Sequence, residues 1–244
     1  MSAVDAIILV LGGFFAGIVN AMAGGGSLLT VPLLSLAGVE GLLANGTNRV
    51  GVLIQSSTAS IGFARRGVGG RTETLRILFP FMVGGAIGAV GVSQVDDQLF
   101  ERAFGLLMIP LLGLTLWKPR ADRETRPWPP WLSFLVFTGV GFYAGAIQAG
   151  VGIVLVLVLS RAGHDLVTAN AIKVYVVVAI SLFAVAVFIS QDQVRWLPAL
   201  VLSAGTAVGG YAGSQLAVDG GERIIKPVLV VAVLALAGRM IGFY

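Results

Sequence analysis

The run Gly13-Phe14-Phe15-Ala16-Gly17-Ile18-Val19-Asn20-Ala21 is followed, after Met22-Ala23, by Gly24-Gly25-Gly26-Ser27. The same order returns later as Gly141-Phe142-Tyr143-Ala144-Gly145-Ala146-Ile147-Gln148-Ala149, followed at once by Gly150-Val151-Gly152. Each is an apolar run that carries one amide side chain near its end and then breaks on glycine. A glycine inside a helix costs about 1 kcal/mol, so breaks at matching places need an architectural reason. One such match would be noise in a glycine-rich chain, but others follow in order. Ala44-Asn45-Gly46-Thr47-Asn48 meets Ala169-Asn170-Ala171-Ile172-Lys173, and Ser56 and Phe63 meet Ser181 and Phe188. Gly84, Gly88, Ser93-Gln94 and Glu101-Arg102 meet Gly205, Gly209, Ser214-Gln215 and Glu222-Arg223 at one offset of 121. The chain is an internal repeat.

Composition supplies the medium. Of 244 residues 57% are hydrophobic and 11% charged, against about 25% charged in soluble domains. Mean hydropathy is +0.93. A soluble enzyme, a disordered tail and a nucleic-acid binder are excluded. The net charge of +4 fits membrane orientation better than nucleic acid, because the cations cluster between apolar runs. With no Cys and one His, disulfides, thiolate metal sites and histidine-rich centres are excluded, so no metal or other cofactor is expected.

The apolar runs are 4–23, 26–38, 44–64, 75–94, 99–117, 131–149, 151–161, 167–189, 196–217 and 223–243. They lack strand alternation, and open sheet cannot face lipid, so they read as helices. The fold class expected is an all-α polytopic membrane protein of two inverted-topology repeats. Each repeat has a glycine-broken or re-entrant helix pair plus three transmembrane helices. Residues 1–117 form the first repeat, 118–130 a basic cytoplasmic linker, and 131–244 the second. The short members 26–38 and 151–161 fall below the roughly 20 residues that a span needs, hence the broken or re-entrant pair.

Charge orients the repeats. Arg65, Arg66, Arg71 and Arg76 follow the third run, and Lys118, Arg120, Arg123 and Arg126 lie in the linker, whereas the loop between holds Asp96 and Asp97. Two basic loops two crossings apart place both in the cytoplasm. Trp117, Trp128, Trp131 and Trp196 fall at span ends, as interfacial aromatics do. Ala21-Met22-Ala23 resembles a signal-peptidase site, but the basic residues before it are missing and the helix recurs, so cleavage is not expected. Asn45-Gly46-Thr47 fits a glycosylation sequon only by accident at a helix start.

Three constellations carry candidate chemistry. The glycine turns either allow close packing or line a cavity. In the second case each following helix, from Ser27 or Ile153, aims its N-terminal N–H groups at that cavity, which favours an anion. Gly13-xxx-Gly17, Gly84-xxx-Gly88 and Gly205-xxx-Gly209 read as packing motifs. Next comes a polar stripe, Asn45, Asn48, Arg49, Val52 and Ser56 with Gln55 alongside, matched by Asn170, Lys173, Val177 and Ser181. A cation inside the membrane by default marks a functional site; the alternative is that Arg49 and Lys173 snorkel to the interface. Last, Gln98-x-x-Glu101 and Asp219-x-x-Glu222 resemble capping boxes, with a coupling carboxylate as the sharper alternative. His164, beside Arg161 and Asp165, reads as loop chemistry.

The run Gly17 to Pro32 (GIVNAMAGGGSLLTVP), followed by Ala44-Asn45-Gly46-Thr47-Asn48-Arg49, resembles the signature of the TauE/SafE family of membrane proteins, also called sulfite exporter or DUF81 proteins. The second half departs from the commoner glycine-rich pattern at Val151 and at Ile172-Lys173. The resemblance implies export of sulfite or small organosulfonates such as sulfoacetate across bacterial inner membranes. The expected site lies between the glycine turns. There Gly24, Gly25, Gly26, Gly150 and Gly152 offer backbone, Arg49 and Lys173 charge, and Asn20, Ser27, Asn45, Asn48, Gln148 and Asn170 hydrogen bonds. The partners expected are a small anionic substrate and the lipid bilayer, with a homodimer left open. An anion channel, a proton-coupled carrier and an intramembrane enzyme are the alternatives, the last disfavoured for want of Cys and of carboxylate clusters.

Overall fold

A computed structural model describes residues 1–116 and 128–220. Every regular element among them is a helix. In chain order these are α1 (Ala3–Ala23), α2 (Ser27–Leu36), α3 (Gly41–Arg65), α4 (Arg71–Val92), α5 (Asp97–Leu116), α6 (Pro130–Ala146), α7 (Val151–Arg161), α8 (Leu166–Ser190) and α9 (Trp196–Val218). The apolar run 223–243, Glu222-Arg223 and most of the basic linker lie outside the described residues. By length and composition α1, residues 72–92 of α4, and α8 can each cross a bilayer. The short members of the broken pairs, α2 and α7, have 10 and 11 residues.

Several helix boundaries differ from the sequence expectation by up to four residues, and two of these differences have a local cause. The third helix starts at Gly41 rather than 44 because the Asp97 carboxylate, distant in sequence, accepts from the Leu42 N–H at 2.8 Å. The sixth stops at Ala146 rather than 149 because Gln148 adopts a left-handed φ of 64°, which no continuing helix permits. The expected capping box at Gln98 and Glu101 is also corrected. Asp96 caps α5 instead, its Oδ1 accepting from Leu99 N–H at 2.8 Å. The shorter Asp side chain, two residues earlier, reaches the free N–H groups first.

Small residues decide the packing. In lipid no hydrophobic force draws helices together, so close backbone contact supplies the attraction. Helix α9 lies along α1 in the same direction, with Gly205 and Gly209 against the backbone of Val10 and Phe14, and Gly213 against Ile18. The contact is repeated with the halves exchanged: α6 lies along α4, with Gly141 against Phe81, and Gly145 against Gly85. The glycine pairs read as packing motifs in the sequence do pack.

The polar helix α3 is the centre of the bundle. From Gly41 to Val52 every residue but Leu43 is buried, and α2, α5, α8 and α9 pack around it. That shielding is what permits Asn45, Asn48 and Arg49 in a lipid-embedded protein.

The ends of the bundle are tied separately. At one end Gln193 donates to Ser93 O at 3.0 Å, and Arg195 N–H donates to Thr47 Oγ1 at 2.9 Å. At the other Arg66 pairs with Asp219 at 3.0 Å. Helix α1 starts beside the first residues of α9, and α6 beside those of α4. The two broken pairs therefore come in from opposite ends of the bundle.

Candidate functional site

The two glycine breaks meet. Helix α1 ends on Gly24, which takes a left-handed φ of 83° while its N–H donates to Val19 O and Asn20 O. Gly150 starts α7 at φ 66°. A side chain on Gly24 would overlap the Gly152 backbone and stand 2.5 Å from Ile153 N, and one on Gly152 would overlap Gly24. Glycine is required at this junction twice over, by conformation and by contact. Neither α2 nor α7 has a side-chain cap; backbone carbonyls of Gly25, Gly26, Gln148 and Gly150 close their first turns, and both positive dipole ends lie beside the junction.

Arg49 and Lys173 are buried, 0% and 2% exposed, and so do not snorkel. Each reaches across to the broken helix of the other half. Arg49 donates from Nη1 to Ala144 O at 2.6 Å and to Gln148 Oε1, and from Nη2 to Gly145 O. Its guanidinium also stands 5.5 Å over the Phe188 ring, within cation–π range. Lys173 Nζ donates to Asn20 O at 2.6 Å, Ala21 O at 3.1 Å and Asn170 Oδ1 at 2.6 Å. The acceptors are last-turn carbonyls of α6 and α1, where helix ends leave carbonyls unpaired and the dipole is negative. A cation is the natural partner for each end.

Asn20 joins the elements. Its Nδ2 donates to Gln55 Oε1 at 2.6 Å, its Oδ1 accepts from Gly26 N–H at 3.4 Å, and its backbone O holds Lys173. Thr30 Oγ1 donates to Asn48 Oδ1 at 2.5 Å, and Ser56 Oγ to Gln55 Oε1 at 3.1 Å. Two narrow cavities adjoin this network, each closed to about the size of a water molecule. Asn20 and Ser27 line both; Gln148, Gly152 and Lys173 line one, and Gly26, Asn48 and Gln55 the other.

Most of the residues singled out in the sequence thus converge. Gly25 continues the turn, its O accepting from Leu28 N–H. Asn45 donates to Ala146 O at 3.1 Å, bracing α3 on the end of α6, and Asn170 holds Lys173. Arg49 lines neither cavity; it is locked into the last turn of α6. Thr30 and Thr206, which also line the second cavity, escaped the sequence reading. Thr206 carries no local signal, being an isolated hydroxyl on α9. Gln55, which the sequence places alongside the polar stripe, lines this cavity too.

The peripheral residues stay peripheral. Asp165 caps α8 by accepting from Val167 and Thr168 N–H, each at 3.0 Å. His164 lines a surface groove with Glu73 and Arg76. Among the described residues no group of His, Asp or Glu is placed to hold a metal, and no Asp or Glu is buried.

Comparison with known proteins agrees with this architecture. The family described as "Sulfite exporter TauE/SafE" matches residues 9–240. A Sinorhizobium protein named "Probable membrane transporter protein ORF9" is 29% identical over 238 residues, 96% of this chain and 91% of its own. A Haemophilus influenzae protein named "Probable membrane transporter protein" is 27% identical, covering 96% and 93%. Escherichia coli "Probable membrane transporter protein YfcA" is 27% identical, covering 93% and 86%. Matches along nearly the whole length of each relative, together with the apolar helical bundle, mark a multi-pass membrane protein of a transporter family. The chain belongs to the TauE/SafE family.

Proposed function

We propose that the chain exports a small sulfur oxyanion, sulfite or an organosulfonate such as sulfoacetate, across a bacterial inner membrane. The observation that carries this reading is the junction at Gly24 and Gly152. Two helices without side-chain caps start beside it and Lys173 borders an adjoining cavity, with no buried carboxylate among the described residues. Such a centre attracts anions and repels cations. Asn20, Ser27, Asn48 and Gln148 offer hydrogen bonds, and Lys173 lies at the wall of one cavity.

The halves act as inverted repeats. The packing of α1 on α9 and of α6 on α4, and the approach of the broken pairs from opposite ends, support that relation. Positive loops put the Arg65–Arg76 end in the cytoplasm. Rocking one half against the other then opens the junction to each side in turn, and the narrow cavities belong to the closed state between. Residues 1–117 and 131–244 are the two moving units, with 118–130 as their cytoplasmic connection.

Transport is uniport. A membrane potential supplies about 2.3 kcal/mol per charge per 100 mV, and a negative interior drives an anion outward without a coupling ion. Proteoliposomes loaded with sulfite test this. Efflux is expected to follow an imposed potassium-diffusion potential, to saturate with sulfite, and to be stimulated by sulfite on the far side. Efflux that ignored the potential and followed a proton gradient would overturn uniport. Efflux without saturation or trans-stimulation would make the protein a channel.

A further inference from the structure

The two halves offer the same place for a ligand but line it differently, with Gln148, Gly152, Lys173 and Val177 in the second half where the first has Asn20, Gly26, Asn48 and Val52. In the first half Ala16, Gly17 and Asn20 of α1 border the cavity that Asn48 and Gln55 reach from α3. Their repeat counterparts are Ala144, Gly145 and Gln148 of α6. All three accept the Arg49 guanidinium, through the carbonyls of Ala144 and Gly145 and the Gln148 side chain. Where the repeat would put a second arginine, α8 has Val174, which borders the second-half cavity. The remaining positions diverge in the same sense. Gln55 corresponds to Ile180, which packs on Gly85, and Thr30 corresponds to Val156.

The first-half cavity is lined by two residues with unsatisfied donors. Asn48 and Gln55 are 0% and 1% exposed, yet Asn48 Nδ2 and Gln55 Nε2 have no partner. Their orientations follow from the network. Gln55 Oε1 accepts from both Asn20 Nδ2 and Ser56 Oγ, and Asn48 Oδ1 accepts from Thr30, so each amide has its nitrogen left over. A buried amide N–H without an acceptor is costly, and two of them beside the start of α2 call for oxygen atoms with negative charge. We infer that Asn48 and Gln55 bind the oxygens of the transported anion at a single site in the first half, and that the second half, with Ile180 and Val156 at the positions of Gln55 and Thr30, binds none.

This rests on the transport reading above and fixes its stoichiometry and its ligands. The test is calorimetric titration of the full chain in detergent micelles with sulfite and with sulfoacetate. One anion per chain is expected. Gln55→Leu removes the donor and should weaken binding about tenfold or more. Gln55→Glu keeps the acceptor for Asn20 and Ser56 but puts a carboxylate where the donor was, and should abolish binding while the thermal melt stays cooperative. Ile180→Leu, at the repeat-equivalent position, should bind as the parent does. Two anions per chain, or undiminished binding in Gln55→Glu, would overturn this site while leaving transport standing. A parent chain that binds neither anion would overturn both.

Discussion

A methyl group added at Gly24 tests the glycine junction, because a second glycine of almost the same conformation serves as its internal control. Gly38 has φ 79° and open space around its Cα, whereas Gly24 has φ 83° and the Gly152 backbone against it. Gly38→Ala therefore isolates the cost of a left-handed alanine, about 1–2 kcal/mol. Gly24→Ala carries the same term and adds a steric one. Its Cβ would overlap Gly152 C and Cα and stand 2.5 Å from Ile153 N, so α7 must withdraw by more than about 0.9 Å to reach the 3.4 Å of ordinary contact. Overpacking of a fitted interior typically costs a further 1–3 kcal/mol, and here the obstacle is backbone, which cannot rotate away. The assay is reversible unfolding in mixed micelles with increasing denaturing detergent, together with sulfite efflux from proteoliposomes. Gly38→Ala should lose about 1–2 kcal/mol and keep its efflux. Gly24→Ala should lose about 2–5 kcal/mol and most of its efflux. Equal losses in the two variants would show that the turns do not touch, and the reasoning from the junction would fail.

Other expectations follow from single contacts. Arg49→Met leaves the carbonyls of Ala144 and Gly145 buried without a donor and should destabilise by about 2–5 kcal/mol. Arg49→Lys, with one point charge in place of a forked guanidinium, should restore part of that, as detergent melting curves will show. Arg66→Ala breaks the ion pair with Asp219, whose side chains are 41% and 56% exposed. It should cost under about 1 kcal/mol and leave efflux unchanged; a large loss would mean that this end of the bundle is a gate. Asp97→Ala removes the acceptor for Leu42 N–H at the start of α3 and should cost about 1 kcal/mol, with Asp97→Asn nearly neutral in the same melts.

The helices and their breaks were legible in the sequence because both signals are local. A run of apolar residues and a glycine triplet need no tertiary knowledge, and repetition separated Gly24-Gly25-Gly26 from ordinary glycine. The packing of α1 on α9 was half legible: Gly205-xxx-Gly209 announced a contact without naming the partner. The destinations of Arg49 and Lys173 were not. The sequence assigns both to the substrate; in the structure Arg49 also donates to the carbonyls of Ala144 and Gly145, and Lys173 to those of Asn20 and Ala21, all more than ninety residues away. A helix C-terminus formed by a distant break leaves no trace near the residue that caps it. The same limit hid Thr206, and it misplaced the start of α3, which depends on Asp97. The sequence places Gln55 alongside the polar stripe of α3, but only the unpaired nitrogen shows what it offers.

The central claim is that the meeting of the glycine turns is a substrate site reached from both sides in alternation. Ser27, buried at the start of α2 and bordering both cavities, is the position to probe. The chain has no Cys, so Ser27→Cys places one thiol there. Its labelling by a charged, membrane-impermeant thiol reagent can be followed in right-side-out and inside-out vesicles. Sulfoacetate should serve as the protecting anion, since sulfite itself consumes thiol reagents. Slow labelling from each side, blocked in both orientations by sulfoacetate, is expected. Labelling from one side only, or labelling that sulfoacetate leaves unchanged, would contradict it.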